Sequence, residues 1–379
     1  MEINNTRSFN DWVEIYKKLI YWELELERSN DNAMDEVLKM QKYEANISFA
    51  RFIKNNYISW FNERSEERPI ISTGIFEHKI FPLLDQGKNV FFILIDNLRF
   101  DQWKILQPVI GEYFKLKSED IICSILPTAT QYSRNATFSG LMPLEIKQIY
   151  PDLWLDDDED GGKNLNEKEL LRKQLARFGK NINFYYNKVV NIKGGKKIVE
   201  NVDKILNNQL AVVVYNFVDM LSHARTEMDL IRELANDEAA YRSLTLSWFR
   251  HSALLDLLKD LANRNFTVVI STDHGTIKVS EAVKVIGDRK TNTNLRYKQG
   301  RNLNYRAKQV FEITKPEKAH LPTSNLSSSY IFALNKDFFA YPNNFHYYAN
   351  YYKNTFQHGG VSLEEMLIPL ITLEPKGSR

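Results

Sequence analysis

Cys123 is the single cysteine among the 379 residues. One thiol excludes an internal disulfide and any cysteine-rich zinc site, so a bound metal has to be held by histidine, aspartate and glutamate. No uncharged apolar run reaches about 18 residues, and the opening MEINNTRSFNDW lacks the basic-then-apolar pattern of a signal peptide. The expectation is a cytoplasmic protein with no membrane partner. Charge of one sign is missing too: 50 basic and 48 acidic side chains leave a net +2, so any attraction for nucleic acid must come from local clustering. There is no internal repeat and no low-complexity tract. What remains is 43% hydrophobic and 26% charged, the profile of a folded chain, and its length fits one large α/β domain with a smaller appendage.

Ser8 with Asp11 three residues on marks a helix start, and Trp12, Ile15, Leu19, Trp22 and Leu26 follow at helical spacing, predicting a helix over about 9–28. Val37, Met40, Tyr43, Ile47, Ala50, Ile53, Tyr57 and Trp60 predict a second long helix packed back on the first, with its aromatics in a bundle core rather than on a base-stacking surface. The charged RSEERP closes this module, giving a helical unit over 1–66 and a catalytic domain over 67–379. From residue 70 the pattern changes. VFFILID (90–96), AVVVYNFVD (211–219) and FTVVIST (266–272) read as strands buried on both faces with helical stretches between them, hence a largely parallel sheet. DDDED (156–160), followed by two glycines, reads as a solvated loop.

Chemistry-bearing residues gather at the carboxyl ends of these runs, where an open α/β sheet places its site. Asp96 ends VFFILI and can meet a cation there or cap the next helix. LPTATQYSRNATFSG (126–140) offers Thr128 or Thr130 as a hydroxyl that a metal could convert to an alkoxide; helix capping explains the same residues. Asp219 and His223 stand one helical turn apart, a spacing that serves a shared ion or a surface ion pair. Asp273-His274-Gly275 follows FTVVIST, and both side chains reach one ion only if the chain leaves the strand at Gly275. His358 precedes two glycines in FQHGGVSLEEMLIPL. Together these supply three carboxylates, three histidines and a hydroxyl, enough for two cations about 3.5–4 Å apart that clamp an in-line displacement at phosphorus.

The order D-N-L-R (96–99), P-T-A-T (127–130), V-D-x-x-x-H (218–223), D-H-G (273–275) and H-G-G-V-S (358–362) resembles the alkaline-phosphatase superfamily and, more narrowly, its PglZ domain. IDNLRFDQW, STDHGTIKV, TNLRYKQGRNL and HGGVSLEEMLIP resemble the PglZ part of PorX-type response regulators of type IX secretion, over roughly 70–375, and the helical pair resembles the bundle that precedes it there. The resemblance implies an alkaline-phosphatase-like α/β domain with flanking helices behind a small α-helical module. It implies two zinc ions, with manganese as the alternative: Asp96, Thr130, Asp273 and His274 at one, Asp219, His223 and His358 at the other. It also favours Thr130 over Thr128 as nucleophile. The 379 residues include no stretch that resembles a receiver domain, as in a fragment of such a regulator or a chain outside that narrower group, so phosphorylation control is not read from these residues.

The segment 283–308 has eight basic residues against one acidic, with Tyr297 and Tyr305 interleaved, and suggests a nucleotide-like ligand bound by Arg289, Arg296 and Lys298; a solvated basic loop is the alternative reading of the same residues. Arg134 and Asn135, soon after Thr130, are candidates for holding phosphate oxygens, and Arg99 either reaches the site or braces Asp96. The leading reading is a phosphodiesterase of nucleotides or short oligonucleotides, the effector part of a signalling regulator. Its expected partners are a second copy of the chain and proteins such as a sensor kinase or sigma factor. The alternatives are a phosphomutase or other phosphate-transfer enzyme of the superfamily, and a metal-stabilised signalling module with little turnover.

Overall fold

A computed structural model describes residues 6–29, 32–61, 68–157, 159, 161–216, 237–264, 266–288, 291–323 and 327–377. The 66/67 boundary, Asp219, His223 and Arg289 lie outside the described residues.

The two leading helices are α1 (Phe9–Ser29) and α2 (Asn32–Asn56). Ser8 and Asp11 cap α1 reciprocally: the Asp11 N–H donates to Ser8 Oγ at 3.2 Å and the Ser8 N–H to Asp11 Oδ2 at 2.9 Å. The burial stripe differs from the expected one. Trp12, Tyr16, Leu19, Ala45, Phe49, Ile53 and Tyr57 are buried, whereas Trp22, Val37, Met40 and Tyr43 are 46–66% exposed. Helical spacing fixes that a face is apolar but not how far along the hairpin a neighbour covers it. The second helix also ends early, at Asn56, and Ile58–Phe61 is a separate turn of tighter helix.

Six strands form the central sheet in the order β2 (Phe114–Cys123), β13 (Leu367–Pro375), β5 (Thr267–Ser271), β1 (Val90–Ile95), β4 (Leu210–Tyr215), β3 (Phe184–Val189). β1 lies parallel between β4 and β5, β3 is parallel to β4, and β13 runs antiparallel to both β5 and β2. All six residues of β1 and of β4 are buried, which is why neither strand shows polar alternation. Each such Val, Leu, Ile or Phe contributes roughly 1.5–3 kcal/mol. The register Ile95↔Tyr215 and Leu94↔Ser271 brings the carboxyl ends of β1, β4 and β5 to one edge, and Leu367↔Cys123 brings the start of β13 there too. Beyond that edge lie β6 (Ile277–Lys278) paired with β12 (Phe356–Gln357), β7 (Glu281–Lys284) paired with β11 (Asp337–Ala340), and a small sheet of β8 (Tyr297–Gly300), β10 (Ser329–Ala333) and β9 (Val310–Ile313).

The helical pair is fastened to the α/β body by a largely buried ionic network. Arg242 reaches Glu23 at 2.8 Å, Glu27 at 2.6 Å and Asp101 at 3.0 Å. Lys42 joins Glu23 to Glu364, and Asn46 bonds both the Glu364 carboxylate and the Leu363 N–H. Arg99 belongs to this network rather than to Asp96: it pairs with Asp101 and Glu238 and lies over the rings of Tyr241 and Phe356. Burial alone would raise the Glu23 carboxyl, but Lys42 and Arg242 outweigh it and hold the group at about 2, below its ordinary 4.5. A carboxylate whose folded value is depressed contributes stability that is present above the unfolded value and lost as pH falls through the folded one. Stability is therefore expected to drop between pH 4.5 and about 2, by an amount on the order of 2–3 kcal/mol from Glu23. Denaturant midpoints followed against pH should fall less steeply in Glu23→Gln than in the natural protein; identical slopes would show that Glu23 does not anchor the pair.

Candidate active site

Each site residue stands where a strand ends. Asp96 follows β1, its N–H donating to Tyr215 O at 2.8 Å, and the turn is made by Asn97 at φ 64°, a left-handed conformation that asparagine tolerates. Asp273 and His274 follow β5. Gly275 sits where a Cβ would come within 2.0 Å of the Glu364 carbonyl oxygen, and its N–H donates to Glu365 O at 3.1 Å. Only glycine lets the loop after β5 lie this close to the segment that enters β13.

Asp96, Asp273 and His274 are all buried, and each offers a ligand atom within 4.8 Å of the others. Thr130 begins the helix Thr130–Ser139, and its Oγ1 lies 3.1 Å from His274 Nε2. The ring of His358 stacks on that of His274, centroids 4.2 Å apart and planes at 17°. His274 Nδ1 lies 3.1 Å from Gly275 O; donation there leaves Nε2 turned toward Thr130. The structure thus brings together Asp96, Thr130, Asp273, His274 and His358. Thr128, by contrast, is wholly buried, with its hydroxyl donating to Gly360 O at 2.9 Å and accepting from the Gly359 N–H at 3.0 Å. That hydroxyl fastens the glycine pair; Thr130, partly exposed, is the one that faces the histidine.

Arg134, 1% exposed, does not face open space. Its Nε donates to Asp273 Oδ2 at 3.0 Å, its Nη2 pairs with Asp96, and its Nη1 approaches Glu167 at 3.5 Å. Burial alone would raise the Asp273 carboxyl, but the neighbouring His274 and Arg134 and the Asn97 N–H outweigh it and hold the group well below the usual range. With His274 neutral, as a metal ligand must be, the cluster is anionic: Asp96, Asp273 and Glu167 stand against Arg134 and Lys188, three carboxylates to two cations. Beside it the buried Asn97 amide has no hydrogen-bond partner among the described residues, which costs about 1–3 kcal/mol per atom if nothing else meets it. Two carboxylates and an imidazole in an anionic setting fit a divalent cation, and this nitrogen and oxygen set suits zinc or manganese.

The other residues named from the sequence as substrate contacts are engaged elsewhere. The Asn135 amide donates to Lys163 O. Arg296 is buried in a pair with Glu365 at 2.6 Å. Lys298 is 2% exposed, its Nζ donating to Asn292 O and lying 4.8 Å from the Tyr341 ring, and burial lowers it to about 7. Arg296 and Lys298 are therefore interior residues of β8 and its approach, not a solvated basic loop. The acidic stretch is not simply solvated either, since Asp156 accepts from Trp154 and Lys147, and Asp157 from Asn292 and Tyr297. Sequence reasoning missed Glu167, which carries no local signal, and Glu365, which does. The S-x-x-E of Ser362–Glu365 is a capping pattern, and in the structure the Glu365 N–H donates to Ser362 Oγ at 3.1 Å.

This sheet, with a cluster at its carboxyl edge that could hold a cation, is that of the alkaline-phosphatase superfamily of phosphoester hydrolases. Within it the chain belongs to the PglZ family: the profile described as "BREX system PglZ alkaline phosphatase-like domain" matches residues 75–373, and that of the PorX response regulator linker domain matches residues 1–61. No curated protein sequence matches. Among solved structures, murine ectonucleotide pyrophosphatase/phosphodiesterase 5 is similar with a TM-score of 0.51 at 12% identity, over 77% of this chain and 88% of that one. Phosphonoacetate hydrolase from Sinorhizobium meliloti 1021 gives a TM-score of 0.43 at 10% identity, over 75% and 89%. At 12% identity the first likeness speaks to the fold alone. No described helix is long and apolar enough to cross a membrane.

Proposed function

We propose that this chain is a zinc-dependent phosphodiesterase that cleaves nucleotide or short oligonucleotide diesters through Thr130. The observation that carries the reading is Thr130 Oγ1, 3.1 Å from His274 Nε2 at the start of a ten-residue helix and beside the Asp96–Asp273–His274 cluster. Asp96, Asp273, His274 and Thr130 would hold one zinc, and His358 with Asp219 and His223 the other; manganese suits the same donors. Such cations, when bound, ease ionisation of a hydroxyl and offset charge on phosphoryl oxygens. The chain's own part is nucleophilic. Thr130 Oγ forms a bond to phosphorus as the leaving alkoxide departs in line, and the positive end of the helix that Thr130 begins favours the phosphoryl oxygens. Water then attacks the same phosphorus, the bond to Oγ breaks and the hydroxyl is restored. Two in-line displacements retain configuration.

The linker match supports a place as the effector part of a signalling regulator. A second copy, a sensor kinase or a sigma factor is the partner proposed for it. Protein purified without chelator is expected to carry about two zinc ions per chain and to cleave diesters in a panel of mono- and diesters. Chelation should abolish this and added zinc restore it. Neither bound transition metal nor uptake on titration would sink the metal assignment. Phosphate moved within a substrate without net hydrolysis would make the chain a mutase, and partner binding by zinc-replete protein that cleaves nothing would make it a signalling module.

A further inference from the structure

With Arg296 and Lys298 buried, the basic and aromatic character of segment 283–308 has to be sought on its outer face. Two adjoining depressions lie there, of about 390 and 510 Å³, and they share Lys284 and Phe345. Tyr305 and Arg306 line the first; His346 and Tyr347 line the second. Among the described residues neither depression is lined by a carboxylate, and neither Lys284 nor Arg306, both exposed, has an ion-pair partner. The Tyr305 hydroxyl is held by Glu312. Amides of Asn304 and Asn344 complete the wall.

The second depression opens onto the helix Phe345–Tyr352, which has no buried residue. Tyr347 is 63% exposed, Tyr348 39% and Tyr351 36%. One-turn spacing aligns the rings in two rows, Tyr347 against Tyr351 with planes at 16° and Tyr348 against Tyr352 at 15°. A folding argument alone does not account for so much aromatic surface left in water beside two cations that have no ion-pair partner among the described residues. Exposed tyrosine rings, cations with no ion-pair partner among the described residues and scattered amides suit a flexible polyanion with stacking faces. The surface is also joined to the site by short stretches of chain: β6 and β7 continue from His274, and the tyrosine helix runs through β12 into His358.

We propose that this groove, from Arg306 and Lys284 to the tyrosines of Phe345–Tyr352, binds single-stranded nucleic acid outside the catalytic centre. The backbone phosphates lie along Lys284 and Arg306 and the bases stack on Tyr347 and its neighbours. The inference rests on the phosphodiesterase reading only in giving the strand a destination.

Fluorescence anisotropy of labelled oligo-deoxythymidylate and oligo-uridylate tests it, in a Thr130→Ala background so that no strand is cut. Lys284→Glu with Arg306→Glu should weaken binding at least about tenfold and make the dependence of log K on log salt shallower by roughly 1.4, two phosphate contacts on a single strand. Tyr347→Ala should cost roughly five- to a hundredfold, the range for one stacked base, while Tyr347→Phe, which keeps the ring, binds as the unsubstituted protein does. Without the Thr130 change, all these variants should turn over a small chromogenic diester normally, which also shows that they fold. Unaltered strand binding in the charge-reversal and Tyr347→Ala proteins, or tighter binding of duplex than of single strand, would overturn the proposal. Groove-dependent binding by a protein that cleaves no diester would uphold the groove and refute the phosphodiesterase.

Discussion

Thr130→Ala is expected to lower turnover of a chromogenic phosphodiester by about a thousandfold or more while leaving the fold and most bound metal in place. The side chain is partly exposed at the first position of its helix, so losing it opens no core cavity. Asp96, Asp273 and His274 keep their positions through contacts that do not involve Thr130: Asp96 N–H with Tyr215 O, Asp273 with the Asn97 and His274 N–H groups, His274 Nδ1 with Gly275 O. Thr130→Ser retains the oxygen and should keep measurable activity. Thr128→Ala should behave differently, since its hydroxyl bonds Gly359 and Gly360; a moderate loss of activity together with lower stability is expected as the His358 segment loosens. Acid-quenched natural enzyme should yield a Thr130 peptide carrying phosphate. Full turnover by Thr130→Ala would end the covalent mechanism at this residue, and a dead Thr128→Ala beside an active Thr130→Ala would move the nucleophile by two positions.

Much of this site is legible in the sequence because strand ends are legible. A carboxylate after six buried apolar residues, as at Asp96, or after FTVVIST, as at Asp273, has little choice but to emerge at the sheet edge. What is not legible is set by contacts between distant positions. Thr128 and Thr130 look alike until Thr128 meets Gly359 and Gly360 more than 200 residues later. Arg296 looks like a surface cation because Glu365, its partner, belongs to another segment, and Lys298 looks charged and solvated until β8 buries it. The helical pair shows the same limit. Its apolar spacing is correct, yet Trp22, Val37, Met40 and Tyr43 face solvent, while Phe49 is covered by Trp12 of the other helix and Tyr57 by Phe311 and the Leu126 N–H of the α/β body.

Arg134→Met is expected to destabilise the metal-free protein by about 3–5 kcal/mol, the usual cost of leaving buried carboxylates without their cation. Asp96 and Asp273 share this guanidinium, Glu167 lies within 3.5 Å of it, and all four side chains are at most 2% exposed. Methionine fills most of the volume, so the loss reads charge rather than packing. Zinc should reverse much of it, because a divalent cation among Asp96, Asp273 and His274 offsets the same negative charge and binds only the folded chain. The test is a pair of denaturation curves for each protein, one in chelator and one in zinc, with the variant approaching the natural protein only in zinc. The alternative role, in which Arg134 reaches out to hold phosphate oxygens, makes the opposite forecast: stability in chelator close to that of the natural protein, a raised KM, and no added rescue by zinc. That second pattern would return Arg134 to the substrate and leave the carboxylates to be neutralised by metal alone.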